Sequence, residues 1–216
     1  MKFDMIVIGG GLVGASLVVA LKDSGLKIAL IEPNKAVPLP EDDSWDSRVY
    51  AISPGSAAFL QKLGVWQSMT ASRITPVYDM AVVGDDHSAQ INFSAYEIGS
   101  SELAFIIENR QLQTAVWEQL KSGNENITVF SPAKCTSIVW HESHVDVHLE
   151  NDQLLQTALV VGADGVNSWV RQQAGIEVAR HAYNQIGLVA NFRTEKSHRN
   201  VAHQWFRRDG VLALLP

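Results

Sequence analysis

The sequence predicts an α/β chain in which a parallel βαβ beginning is interleaved with antiparallel sheet. Three observations predict this. Residues 4–32 read as strand, glycine turn, helix, second strand and a terminal acid. Residues 135–157 hold three short runs of alternating apolar and polar side chains, the pattern of an antiparallel meander. Beyond residue 180 the chain gives strand-like runs, where a plain doubly wound fold would continue helix after strand.

The opening carries most of the information. Residues 5–8 are a short apolar run, suited to a strand buried on both faces. Gly9, Gly11 and Gly14 then give G-x-G-x-x-G where strand becomes helix. Gly9 permits the tight turn, Gly11 lets a phosphate approach the backbone, and Gly14 lets the helix pack close to the strand. The helix over 12–21 is apolar nearly all round and is expected to be buried. Its N-terminus, around Leu12 and Val13, offers unpaired N–H groups and a partial positive charge, an anion site. Residues 28–31 form the second strand and Glu32 ends it. A carboxylate about 20 residues past the glycines suits the hydroxyls of an adenosine ribose and repels a 2′-phosphate. The expected dinucleotide is therefore FAD or NAD rather than NADP. A glycine-rich βα turn without a ligand is the plainer alternative.

Bulk properties narrow the classes. With 216 residues, 46% hydrophobic and 19% charged, the chain can hold one good domain or two small interleaved ones. A net charge of −6 and the lack of any basic run argue against a nucleic-acid surface. The single cysteine, Cys135, excludes an internal disulfide and a multi-cysteine metal site and fits a reducing compartment. The N-terminus does not read as a signal peptide, because three glycines interrupt its apolar run. No apolar segment approaches the ~20 residues of a membrane span.

The elements follow in order. Residues 33–46 are a polar, proline-containing loop rich in acids (Glu41, Asp42, Asp43), long enough to suggest function. A helix is expected over 56–63, capped by Ser53 or Ser56, then a further turn over 65–71. Strands are expected over 77–83 and 89–93, joined by the turn 84–87 that includes His87. Residues 103–107 form a strand that runs into Glu108, Asn109 and Arg110 and a helix over 111–121. Further strands are expected over 127–130, 135–140, 145–149, 154–157 and 158–161, then Gly162-Ala163-Asp164-Gly165 and a short helix capped by Asn167 or Ser168. Strands over 186–192, 201–206 and 210–216 finish the chain. An apolar strand is a poor terminus because it exposes an edge, so the chain is expected to be part of a longer polypeptide.

Three motifs now stand in order: the glycines with Glu32, Asp46-Ser47-Arg48, and G-A-D-G-V-N-S-W-V-R over 162–171. Together they resemble the group A flavoprotein aromatic hydroxylases of the para-hydroxybenzoate hydroxylase fold. R-V-Y-A-I-S-P-G-S, L-G-V-W, I-E-N-R-Q-L-Q-T-A-V-W and G-V-L-A-L-L-P resemble more narrowly the ubiquinone-biosynthesis hydroxylases of the Ubi/Coq type. The resemblance implies a Rossmann-like FAD-binding domain interleaved with an antiparallel β-sheet substrate domain. It implies FAD-binding segments over 1–74 and 101–180, a substrate-domain hairpin over 75–100 and incomplete substrate-domain strands over 181–216.

The resemblance also implies residue roles. Gly9, Gly11, Gly14 and the Val13 backbone would hold the FAD pyrophosphate, and Glu32 the ribose. Arg48 would reach the flavin side and the pyrophosphate, where a guanidinium pairs bidentately. Asn109 or Arg110 would face the phosphate or ribityl chain. Asp164 and Gly165 match a D-G motif tied to FAD and NAD(P)H, although Asp164 could simply cap the helix after it. Arg171 would brace that helix. The implied activity is a monooxygenase: NAD(P)H as co-substrate reduces FAD, and O2 then hydroxylates a polyprenylated phenol. No catalytic side chain is identified.

The family's later G-D-A-x-H segment does not occur in these 216 residues, so the chain alone is expected to bind FAD weakly or not at all and to be inactive. A lipid-tailed substrate implies a protein that is cytoplasmic or peripheral to the inner membrane, at a membrane surface or in a biosynthetic complex. The rivals are an NAD-dependent dehydrogenase and a non-catalytic flavin-fold assembly protein. No metal site is expected: His141 is read as facing away from His144 and His148 on the hairpin, and no H-E-x-x-H occurs. The tryptophans are read as core or packing residues, with a substrate-wall role as the alternative for Trp205 and Phe206.

Overall fold

The computed structural model describes residues 1–35, 38–40, 42–86, 88–121 and 123–216; Glu41 and His87, named above, lie outside them. The elements are β1 (Lys2–Ile8), α1 (Leu12–Ala20), β2 (Ile28–Ile31), β3 (Val49–Ile52), α2 (Pro54–Lys62), β4 (Ile74–Val77), β5 (Asp79–Val83), β6 (Gln90–Ser94) and β7 (Ala104–Glu108). They continue with α3 (Asn109–Lys121), β8 (Ile127–Phe130), β9 (Cys135–Trp140), β10 (Val145–Leu149), β11 (Leu154–Gly162), α4 (Trp169–Gln173), β12 (Val201–Arg207) and β13 (Gly210–Leu214). The chain divides into two compact units, one of residues 1–39 and 113–186, the other of residues 40–112 and 187–216.

The first unit is built on a six-stranded sheet in the order β8-β2-β1-β11-β10-β9. Its first four strands are parallel, and β11, β10 and β9 form the expected antiparallel meander. Ile6, Val7 and all of β2 are buried, as a strand covered on both faces requires. A core of Ile8, Ile31, Val147, Leu155 and Val170 fills one side of the sheet. The runs over 154–157 and 158–161 are one continuous strand, because residues 154–157 pair with β10 and the pairing with β1 runs from Gln156 on to Gly162.

The second unit holds two sheets, β13-β12-β5-β6 and β3-β7-β4. The run over 77–83 divides at Tyr78: β4 pairs with β7, and β5 pairs with β6 and β12. Ser53 caps α2, accepting the Ser56 N–H, with Pro54 in the first turn. The expected turn over 65–71 is two 3-10 helices, Trp66–Ser68 and Ala71–Arg73.

Two expectations fail here. The run over 186–192 is not a strand; Ile186 is 97% exposed and Leu188 and Phe192 are also exposed. Its composition suits a strand, but among the described residues no neighbouring strand pairs with its backbone, and pairing is what makes a strand. Helix α3 begins at Asn109, directly after β7, without the expected link.

Candidate functional site

The site is built from the glycine corner upward, within the first unit. Gly9 adopts φ +109, a conformation that favours glycine. A Cβ built on Gly9 would lie 2.4 Å from the Ala163 carbonyl oxygen, and one on Gly14 would lie 1.9 Å from the Gly9 carbonyl oxygen and 3.0 Å from Ala163 Cβ. These two glycines therefore let the strand end, the helix and the 162–165 turn meet. Gly11 differs: among the described residues, no atom beyond its chain neighbours lies within 4 Å of a Cβ built there.

Gly11 is also the N-cap of α1, with no side-chain cap and no acid in the first turn. The first turn is open: Val13 is 76% exposed, while Gly14, Ala15, Val18 and Val19 are buried. The expectation of a wholly buried helix is corrected to a helix buried along one face with an open N-terminus. An uncapped helix start beside open space at a glycine is a cradle that a phosphate fits.

Glu32 sits against this corner. Its Oε2 accepts the Gly10 N–H at 2.7 Å and its Oε1 accepts the Asn34 N–H at 2.9 Å and the Asn34 side-chain amide at 3.1 Å. A carboxylate offers about four lone-pair sites, so acceptor capacity remains for a ribose hydroxyl.

Asp164 and Gly165 lie in the turn packed on Gly9. Gly165 has φ +86. The Asp164 carboxylate faces α4: it accepts the Trp169 N–H at 2.6 Å, the Val170 N–H at 3.0 Å and the Ser168 hydroxyl. Ser168, the N-cap, in turn accepts the Arg171 N–H at 3.0 Å. Arg171 bonds the Val166 carbonyl at 3.2 Å, the bracing role expected of it. The capping alternative for Asp164 is thus what its geometry displays.

Arg48, Asn109 and Arg110 belong to the second unit. The Arg48 backbone is pinned at both ends, its N–H by Asp46 Oδ1 at 3.0 Å and its carbonyl by the Asn109 N–H at 2.8 Å. Its guanidinium lies 5.6 Å from the centre of the Tyr50 ring and has no carboxylate partner among the described residues. Asn109 Oδ1 accepts the Tyr50 hydroxyl at 3.3 Å. Arg110 is committed inward: Nε pairs with buried Glu108 at 3.0 Å and its terminal nitrogen reaches Ser44 Oγ at 3.2 Å.

Sequence reasoning missed Gln113 and Trp117, which both donate to the Gly10 carbonyl, at 2.8 and 2.9 Å. Trp117 was expected only to pack. The available signal was their i, i+4 spacing, which puts both on one face of a helix.

The hairpin histidines need a correction. His141 and His144 stack with ring centres 4.3 Å apart, and both face Asp146, at 3.1 and 3.6 Å. Strand alternation does not govern them because they lie at the two ends of the turn, where the His141 N–H bonds the His144 carbonyl. Each imidazole presents Nε2 to the Asp146 carboxylate at the exposed rim. Burial, then the Asp164 charge, pushes the thiol of half-buried Cys135 up to about 12 from 9.0. The thiolate fraction near neutral pH falls about a thousandfold against an ordinary thiol. Cys135 is expected to react with a thiol-specific disulfide reagent at pH 8 far more slowly in folded than in unfolded protein; labelling of folded protein at the unfolded rate would contradict this.

No helix among the described residues is long and apolar enough to cross a membrane. The chain is 32% identical over 213 residues to the 3-demethoxyubiquinol 3-hydroxylase of Escherichia coli, covering 99% of this chain and 54% of that protein. It is 35% identical over 230 residues to the ubiquinone biosynthesis monooxygenase COQ6 of Danio rerio, covering 99% and 47%. The chain thus spans about half the length of these curated relatives. A mutant of PqsL from Pseudomonas aeruginosa shares the fold, with TM-score 0.76 at 19% identity over 100% of this chain and 58% of that one. The profile described as FAD binding domain matches residues 2–211. With that match across nearly its whole length, the chain belongs to the FAD binding domain family.

Proposed function

We propose that the chain is the nucleotide-binding portion of an FAD-dependent monooxygenase that hydroxylates a polyprenylated phenol in ubiquinone biosynthesis, with NAD(P)H as co-substrate. The observation that carries the reading is the uncapped start of α1 at Gly11, open to solvent, with Glu32 behind it and the 162–165 turn packed on Gly9. The reaction class and substrate are carried over from the E. coli 3-demethoxyubiquinol 3-hydroxylase and the Danio rerio ubiquinone biosynthesis monooxygenase.

In this reading the Gly11 and Val13 backbone takes the pyrophosphate, Gly9 and Gly14 shape the turn, and Glu32 accepts from the adenosine ribose. Gly165 and the backbone of its turn line the same corner, with Asp164 holding that turn rigid through α4. Arg48, whose guanidinium has no carboxylate partner among the described residues, is assigned to phosphate, and Asn109 or Arg110 to the phosphate or ribityl chain, on the family resemblance alone. The bound flavin supplies the redox and oxygen chemistry, while the protein binds, orients and excludes water. The second unit carries the sheet β13-β12-β5-β6 that we assign to the substrate; it is mixed rather than wholly antiparallel as expected, because β12 returns alongside β5 in the same direction. An isoprenoid tail keeps such a substrate in a bilayer, so we place the full-length protein in the cytoplasm, peripheral to the inner membrane and open to partners of the same biosynthesis.

The test titrates the full-length protein with FAD, NAD and NADP in parallel. FAD is expected to bind tightest, and NADP at least about tenfold more weakly, because its 2′-phosphate meets the Glu32 carboxylate. Glu32→Gln should lower FAD affinity and narrow that gap. Binding of NAD in preference to FAD would favour the dehydrogenase reading and overturn this one.

A further inference from the structure

The peptide group between Gly10 and Gly11 is held unusually firmly from one side. Its carbonyl accepts two side-chain donors, Gln113 Nε2 at 2.8 Å and Trp117 Nε1 at 2.9 Å. Both come from one face of α3, four residues apart. Trp117 is buried, and its Cζ2 lies 2.7 Å from where a Cβ on Gly10 would sit, so the indole occupies the space that a side chain there would need. On the preceding peptide, Glu32 Oε2 takes the Gly10 N–H at 2.7 Å.

A trans peptide is planar, with its carbonyl and its N–H pointing in opposite directions. Tying the Gly10 carbonyl to α3 therefore turns the Gly11 N–H away from α3. Among the described residues that N–H has no acceptor. Two hydrogen bonds on the carbonyl also polarise the same peptide group and strengthen its N–H as a donor. We propose that Trp117 and Gln113 are positioning residues that aim and polarise the Gly11 amide for a nucleotide pyrophosphate. The inference rests on the dinucleotide reading above and adds two residues to it. The competing explanation is that a buried indole N–H and amide merely need an acceptor, and Gly10 provides one.

The two explanations separate experimentally. Trp117→Phe keeps the ring and removes the donor; Gln113→Leu removes the other donor from a partly buried position. Trp140→Phe is the control, since Trp140 Nε1 also donates to a carbonyl, that of Gln173 at 3.2 Å, on the exposed side of the hairpin. Three readouts are taken on each protein: the amide nitrogen shift of Gly11 without ligand, the FAD dissociation constant from flavin fluorescence, and the urea midpoint. Positioning predicts that each donor deletion moves the Gly11 shift and weakens FAD roughly three- to tenfold, the scale of one net hydrogen bond. Deleting both should cost less than the product of the two, because they act on one carbonyl. Trp140→Phe should leave the Gly11 shift and the FAD constant unchanged. The proposal is overturned if the variants lose stability yet keep the wild-type Gly11 shift and FAD affinity. Full-length wild-type protein that takes no FAD at millimolar concentration would overturn the dinucleotide reading itself, and that result appears before any variant, made in the same full-length protein, is compared. Should Trp117→Phe fail to fold, Gln113→Leu alone decides the question.

Discussion

Gly9→Ala is expected to destabilise the protein by about 3–5 kcal/mol, combining left-handed backbone strain with an overpacked contact. The new methyl would stand 2.4 Å from the Ala163 oxygen and 2.5 Å from its carbonyl carbon. Those are backbone atoms in a turn whose Asp164 is bonded into the start of α4, so the neighbour cannot swing aside as a side-chain tip would. At φ +109 the alanine is strained before any contact is counted. Gly11→Ala makes the contrasting case. Its φ is −65 and its Cβ position is open, so the fold should hold within about 1 kcal/mol. Nucleotide affinity should fall instead, because the methyl occupies the cradle. Urea midpoints of the two variants beside their FAD titrations check both halves. A Gly9→Ala midpoint close to wild type would show that the 162–165 turn is not packed on this corner.

Glu108→Gln should cost about 2–4 kcal/mol, the scale for breaking a buried ion pair after allowance for partly exposed partners. Glu108 is 2% exposed and receives Arg73 at 2.9 Å, Arg110 at 3.0 Å and the Asp46 N–H at 2.6 Å. A neutral amide offers only one acceptor oxygen and sets an NH2 group against cationic or N–H donors, leaving charge uncompensated. The same carboxylate anchors the stretch that presents Arg48. Arg73 also bonds the Ser44 carbonyl at 2.9 Å and lies 4.5 Å from the centre of the Trp45 ring, while Asp46 takes the Arg48 and Arg110 N–H groups. Loss of Glu108 should therefore loosen residues 44–48, seen as faster amide exchange there, together with the lower urea midpoint. Unchanged exchange in that stretch would mean that Asp46 holds it alone.

Some of the site was legible early because it depends on local geometry. A strand–glycine–helix turn needs a flexible residue at Gly9 and a bare one at Gly14, and a distance of about 20 residues returns the chain to place Glu32 beside Gly10. Period-two patterning likewise announced the meander of β9, β10 and β11. The pattern was less informative where pairing decides the outcome. It did not divide 77–83 between two sheets, and it read a strand over 186–192 where, among the described residues, no strand pairs with the backbone.

Side-chain allegiance was the harder matter. The sequence left Asp164 between a cofactor and the cap of α4, and left open which of Asn109 and Arg110 faces a cofactor; the structure shows Asp164 bonded to the start of α4 and Arg110 paired with Glu108. Trp117 read as packing, yet its N–H meets a carbonyl 107 positions away. Spacing along the chain by itself determined the backbone at the glycine corner, the acidic residue behind it and the alternation of sheet types, since these follow from steric and periodic rules acting over a few dozen residues. Tertiary structure alone decided which donor faces which acceptor. A hydrogen bond depends on distance and direction to a few tenths of an ångström, and only the packed register of remote elements sets those.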